Sequence, residues 1–224
     1  MRRTLLQGLL AVITLAAATP AGAQFDRAPR FGGGPKWWVS AWGGYQWADR
    51  VSDPASSADW LFDQSWSTRL TVEREVAPGI AAGLAYNYAR IPLRFRNFIS
   101  TDGGAGGSCN SCTGEATLAS YGLTVRSGMG SRGFHLITEG FLGAIRYGNF
   151  ELEGSSPTVV AAREIANTDF GYAIGVGFGY ALARDWQIVT LFETLNGIHE
   201  RTDNLFGQRN SRHYSTRAGV RFGF

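Results

Sequence analysis

From Lys36 to Phe224 the chain alternates large apolar residues with small or polar ones at a period of two, the repeat of a β-strand with two unlike faces. The clearest stretch sets Phe170, Tyr172, Ile174, Val176, Phe178, Tyr180 and Leu182 against Gly171, Ala173, Gly175, Gly177, Gly179 and Ala181. The last sets Tyr214, Thr216, Ala218, Val220, Phe222 and Phe224 against His213, Ser215, Arg217, Gly219, Arg221 and Gly223. The first sets Trp37, Val39, Ala41, Tyr45 and Trp47 against Ser40, Gly44 and Gln46. Read throughout in this way, the pattern predicts eight strands near 36–48, 62–76, 80–92, 115–127, 133–148, 168–182, 186–197 and 212–224. Tight links at Ala77-Pro78-Gly79, at 127–132 and at Ala183-Arg184-Asp185 alternate with long connections over 49–61, 93–114, 149–167 and 198–211. An even strand count, with short turns at one end and long loops at the other, predicts an all-β fold: an eight-stranded antiparallel up-and-down transmembrane β-barrel over residues 36–224.

Alternation alone does not say which face is buried, because a soluble barrel turns its apolar face inward and a membrane barrel turns it to lipid. The second face here is mostly Gly, Ala, Ser and Thr, and Lys36 is the only lysine of the chain, so that face does not read as a solvated surface. Aromatic residues gather near the strand ends, among them Trp37, Trp47, Trp60, Trp66, Tyr86, Tyr88, Trp186 and Phe222, as girdles at two membrane interfaces require. After residue 23 no apolar run approaches the roughly 18 residues of a spanning helix. A chain in lipid must pair its backbone internally, which leaves a closed barrel.

Residues 1–23 carry Arg2 and Arg3, an apolar core and the small-residue site Ala21-Gly22-Ala23, the features of a secretory signal peptide. Residues 24–35, with two prolines and a run of three glycines, read as a flexible lead-in. Without Arg2 and Arg3 the excess of basic over acidic residues falls from three to one, which removes the electrostatic footprint of a nucleic-acid partner.

The terminal strand "RHYSTRAGVRFGF", ending at Phe224, resembles the last strand of Gram-negative outer-membrane proteins. The signal peptide, strand count and loop asymmetry extend the resemblance to small eight-stranded barrels of the OmpA-like and opacity type. That resemblance implies an outer-membrane location, a monomer set among outer-membrane lipids and lipopolysaccharide, and Phe224 as the signal read by the barrel-assembly machinery. It implies work in envelope integrity, adhesion or host interaction rather than catalysis, with no cofactor. No periplasmic domain is expected after the eighth strand.

Eight strands enclose a space that side chains fill, so charges on the inward phase must be paired there. Glu73, Glu75, Arg126 and Arg221 fall near the short turns, and Arg69, Glu139, Glu193 and Arg217 nearer the middle, two of each sign in each layer. They read as a structural ion-pair plug; a gated narrow conduit for small solutes is the alternative. The phase is less secure in strands five and seven, where Glu139 and Glu193 carry Ile137, Phe141, Val189 and Leu191 inward with them, and a bulge would shift either. Cys109 and Cys112, in a glycine-rich loop of an exported chain, read as a small local disulfide; neither a second cysteine pair nor a nearby histidine suggests zinc.

His213-Tyr214-Ser215 resembles the His-x-Ser pair of lipid A 3-O-deacylases, in which histidine activates serine. Here no acidic residue follows Ser215, the pair lies on the inward phase, and Glu200 precedes it. A polar pair inside the mouth is the plainer account. His135 and His199 stand apart from each other and from the cysteines, so no metal is expected. Arg50, Arg94, Arg96, Arg163, Arg201, Arg209 and Arg212 lie in or beside the long loops, either as part of a charge-balanced solvated surface or as clamps for lipopolysaccharide phosphates.

Overall fold

A computed structural model describes residues 37–53, 58–99, 108–128, 133–153, 167–198 and 210–224. Residues 1–23, expected to be a signal peptide, the expected lead-in over 24–35 and Glu200 lie outside them. Ten strands follow one another: β1 Trp37–Ala48, β2 Val51–Asp53, β3 Ala58–Phe62, β4 Ser65–Ala77, β5 Ile80–Ile99, β6 Ser108–Ser127, β7 Gly133–Glu153, β8 Asn167–Ala181, β9 Trp186–Ile198 and β10 Asn210–Gly223. Eight of them, β1 and β4 to β10, pair antiparallel in a ring: β1 bonds to both β4 and β10, and β5 to β6 completes the circuit. Closure leaves no free edge in the ring, so each of its eight strands is paired on both sides.

The two short strands extend the barrel beyond its rim. β2 and β3 form a small hairpin, and β3 continues the partnership of β5 where β4 ends, through Asp59↔Arg96 to Phe62↔Leu93. The expected second strand over 62–76 therefore resolves into the end of β3 and all of β4. β5, β6 and β7 also run further than expected, to 99, from 108 and to 153. Pro92, which in a sequence reads as a strand end, is accommodated inside β5, where its carbonyl accepts the Asp63 N–H at 3.0 Å.

The faces sort as the period of two requires. Val39, Leu70, Val72, Leu84, Leu123, Ile174, Val176, Ile188 and Val220 stand exposed on the outer wall. At the turn end this wall carries Phe134 stacked on Phe178, and Trp186 against Phe222 with Phe224 beyond it. At the loop end it carries Tyr45 edge-on to Trp66 and Trp47 stacked on Tyr214. From Trp37 to Trp47 a tilted strand climbs roughly 25 Å, the height of an outer-membrane apolar band. An apolar exterior over a charged interior inverts a soluble barrel and is the arrangement lipid demands.

The bare inner face of β8 has a packing cause. A Cβ at Gly177 would lie 1.9 Å from the Thr190 carbonyl oxygen, one at Gly171 2.5 Å from Ile145, and one at Gly179 2.2 Å from the His135 ring. The β9 backbone fills the space at Gly177, and neighbouring side chains fill it at Gly171 and Gly179. The phase of β7 and β9 is settled as well: Ile137, Phe141, Val189 and Leu191 are all buried with Glu139 and Glu193. Their registers against β8 run without a shift, so no bulge intervenes over the paired residues.

Candidate functional site: the barrel interior and its mouth

On the turn side the interior is a single file of alternating charges. Glu73 on β4 accepts from Arg126 on β6 at 3.1 Å and from Arg221 on β10 at 2.9 Å. Arg126 also grips Glu139 on β7, at 2.6 Å through Nη2 and 3.0 Å through Nε. Glu139 pairs in turn with Arg69 on β4, Arg69 with Glu193 on β9 at 2.7 Å, and Glu193 with Arg217 on β10 at 2.8 Å. The order is Arg221, Glu73, Arg126, Glu139, Arg69, Glu193, Arg217: four guanidinium groups and three carboxylates, all with side chains at most 3% exposed. Most links join strands that are not neighbours in the ring, so the chain staples the cylinder across its bore.

This differs from the expected two separate layers. Arg126 reaches from the lower carboxylate to the upper one, while Glu75 lies at the turn end. It is half-buried beside the β4–β5 turn, where a register shift interrupts the ladder and its carboxylate accepts the Gly79 N–H at 3.4 Å. Gly79, with φ at 75°, makes that turn.

Two tryptophans complete this half, and the sequence reading passed over both. The Arg221 guanidinium lies 4.2 Å from the Trp38 ring centroid and that of Arg126 4.9 Å from the Trp42 ring. Such cation–π contacts suit a dry interior. The signal for the first was the doublet Trp37-Trp38, which a period of two must split between the faces. For Trp42 it was Gly219, its partner on β10: a Cβ there would meet the Trp42 ring at 2.9 Å.

The loop side is built differently. Ala85, Ala89, Ile91, Leu93, Leu118, Phe141, Ile145 and Leu195 form an apolar cluster, with Phe62 of β3 packed against it like a stopper. At its edge the Tyr147 hydroxyl lies 2.6 Å from Ser211 Oγ and 2.7 Å from His213 Nε2. His213 and Ser215 both face inward, as their phase predicted. They do not form a hydrogen-bonded pair: His213 Nε2 is engaged by Tyr147, and Ser215 Oγ is buried without a partner. Gln46, Trp47, Phe62, Asp63, Ile91 and His213 line the mouth, which is closely packed.

Outside, Arg94 forks onto Asp63, with Nε at 2.9 Å, and ties β5 to the first loop. Both groups are exposed, which limits the pair's worth to roughly 0–1 kcal/mol. Arg212 bonds Asn196 Oδ1 at 3.2 Å, and the Tyr214 hydroxyl donates to Asp49 at 3.2 Å. Phe224 closes the cylinder, exchanging two backbone hydrogen bonds with Trp37 at 2.9 and 3.1 Å, its ring exposed.

Cys109 and Cys112 are the pair expected to form a small local disulfide. Their side chains lie outside the described residues, but their backbone belongs to β6, with Cys112 opposite Phe95 and Cys109 opposite Phe98 in unbroken register.

No family model and no curated protein matches this sequence. Solved structures match it in fold. Neisserial surface protein A (NspA) is 15% identical, with 86% of this chain and 100% of that chain covered and a TM-score of 0.53. The outer membrane protein OprG of Pseudomonas aeruginosa is 11% identical, with 86% and 98% covered and a TM-score of 0.54. At such identities the likeness is one of fold: a small closed antiparallel barrel of the outer-membrane kind.

Proposed function

We propose that this chain is an outer-membrane barrel that acts without catalysis, as a structural and surface-exposed element whose loop end serves envelope integrity, adhesion or host interaction. One observation carries this reading: the bore is filled, by the ion-pair file below and the Phe62-stoppered cluster above, which leaves the loop end as the surface available for work. The engaged His213 and the buried Ser215 argue against ester hydrolysis at the one sequence motif that suggested it. Lipopolysaccharide is the expected neighbour of Arg90, Arg94, Arg146 and Arg212, all exposed on the outer wall towards the loops. Phe224 is the residue offered to the assembly machinery, and residues 1–23 direct export.

The test is labelling of intact cells with a membrane-impermeant thiol reagent, in a Cys109→Ser, Cys112→Ser background carrying Arg50→Cys or Ala183→Cys. The first, at the loop end, should label in intact cells and the second, at a short turn, only after lysis. The opposite pattern, or labelling of neither, removes the loops from the cell surface and ends the reading. Planar bilayers containing the purified protein should show no conductance steps.

A further inference from the structure

The ion-pair file does not balance. It begins and ends in arginine, and its two ends are not equally satisfied. Arg221 gives Glu73 two hydrogen bonds, at 3.2 and 2.9 Å, reaches Gln187 Oε1 at 3.3 Å and lies over Trp38. Arg217 has its single ion pair with Glu193, and its Nε is buried with no partner. The surplus positive charge of the file therefore resides at the Arg217 end. The other buried carboxylate, Asp169, is on β8, opposite β4 in the ring, beside Ile145 towards the loops.

Above Arg217 the barrel presents more buried donors in the same condition. Ser65 on β4, Gln46 on β1 and Ser215 on β10 are partners in one row of the sheet, all inward and at most 7% exposed. Ser65 Oγ, Gln46 Nε2 and Ser215 Oγ each lack a hydrogen-bond partner. In the row below, Gly44 faces Arg217; a Cβ there would lie 2.9 Å from Arg217 Cγ, so the glycine lets the arginine stem lie against β1 beneath the three donors. Glu193 is the next residue of the row, opposite Ser215, but its two oxygens are committed to Arg69 and Arg217. His213, two residues before Ser215, lies on the mouth side of this row.

We propose that Ser65, Gln46 and Ser215, with Arg217 beneath them, form a binding site for a small inorganic anion of halide size inside the barrel. Hydroxyl, amide and guanidinium groups all supply N–H or O–H to such an ion, and a guanidinium that shares its one carboxylate with Arg69 and leaves Nε unpartnered in a dry interior favours a counter-charge over a neutral molecule. A cation has no place beside Arg217. Water would satisfy the donors and leave the charge, which makes it the competing occupant.

The experiment uses the folded barrel in detergent and bromide as the probe. Crystals grown in sodium bromide should give an anomalous peak in contact with Ser215 Oγ and Arg217 Nε. Chloride NMR line broadening in solution should be displaced by bromide. It should weaken about tenfold or more in a Ser65→Ala, Ser215→Ala variant, which leaves every ion pair of the file in place. Heat-modifiable migration of that variant shows that it folds. Density without an anomalous signal means water and overturns the proposal. Equal broadening in the variant, or a crystal peak with no solution binding, overturns it as well.

Discussion

The two halves of the bore fill the same cylinder by opposite means, and the difference shows what each half is built to resist. Towards the short turns the walls are joined by charge across the bore, between strands that share no ladder. Towards the loops they are joined by contact between apolar side chains, with one hydroxyl and imidazole group at the edge. An ion pair is directional and fixes the distance between two strands. An apolar cluster tolerates small shifts and lets the loop end adapt. The charged half thus sets the diameter, while the apolar half seals the end that carries the long loops.

The contrast can be broken hardest at Glu73. Glu73→Gln leaves Arg126 and Arg221 buried with one neutral partner between them and should cost about 3–5 kcal/mol, read as a lower denaturant midpoint for the refolded barrel. An unchanged midpoint would mean that water, not Glu73, compensates those guanidiniums. Ile145→Ala opens a cavity in the other half and should cost about 2–4 kcal/mol in the same assay. If it proves the more damaging of the two, the assignment of rigidity to the charged half is wrong. Tyr147→Phe removes one hydroxyl from Ser211 and His213 and should cost about 1–2 kcal/mol. Arg94→Ala, at the exposed Asp63 pair, should change stability by less than about 0.5 kcal/mol, within the scatter of surface substitutions.

Much of this was legible in the chain itself. The period of two located all eight ring strands and assigned Arg69, Glu73, Arg126, Glu139, Glu193, Arg217 and Arg221 to the bore, because in a closed barrel the phase of a strand is the address of its side chains. The partners of those charges were not legible, since strand stagger sets which carboxylate each arginine meets, and that pairing joined the two expected layers into one file. Glu75 shares the inward phase but sits at a register shift, an irregularity alternation cannot announce. The extension of β5 and β6 past Pro92 was hidden because the loop composition of 93–114 masks backbone pairing that continues regardless of side chain.

The file also bears on how the cylinder is made. Arg221 and Glu73 are 148 positions apart, and Arg69 and Glu193 124. Neither link can form while the sheet is open, and an open sheet would offer those charges to lipid unpaired. Closure of the ring and entry into the membrane are therefore one event with a late, high barrier. The same barrier stands in the way of leaving, so that once fastened the barrel persists because its escape is slow as well as because its folded state is favoured.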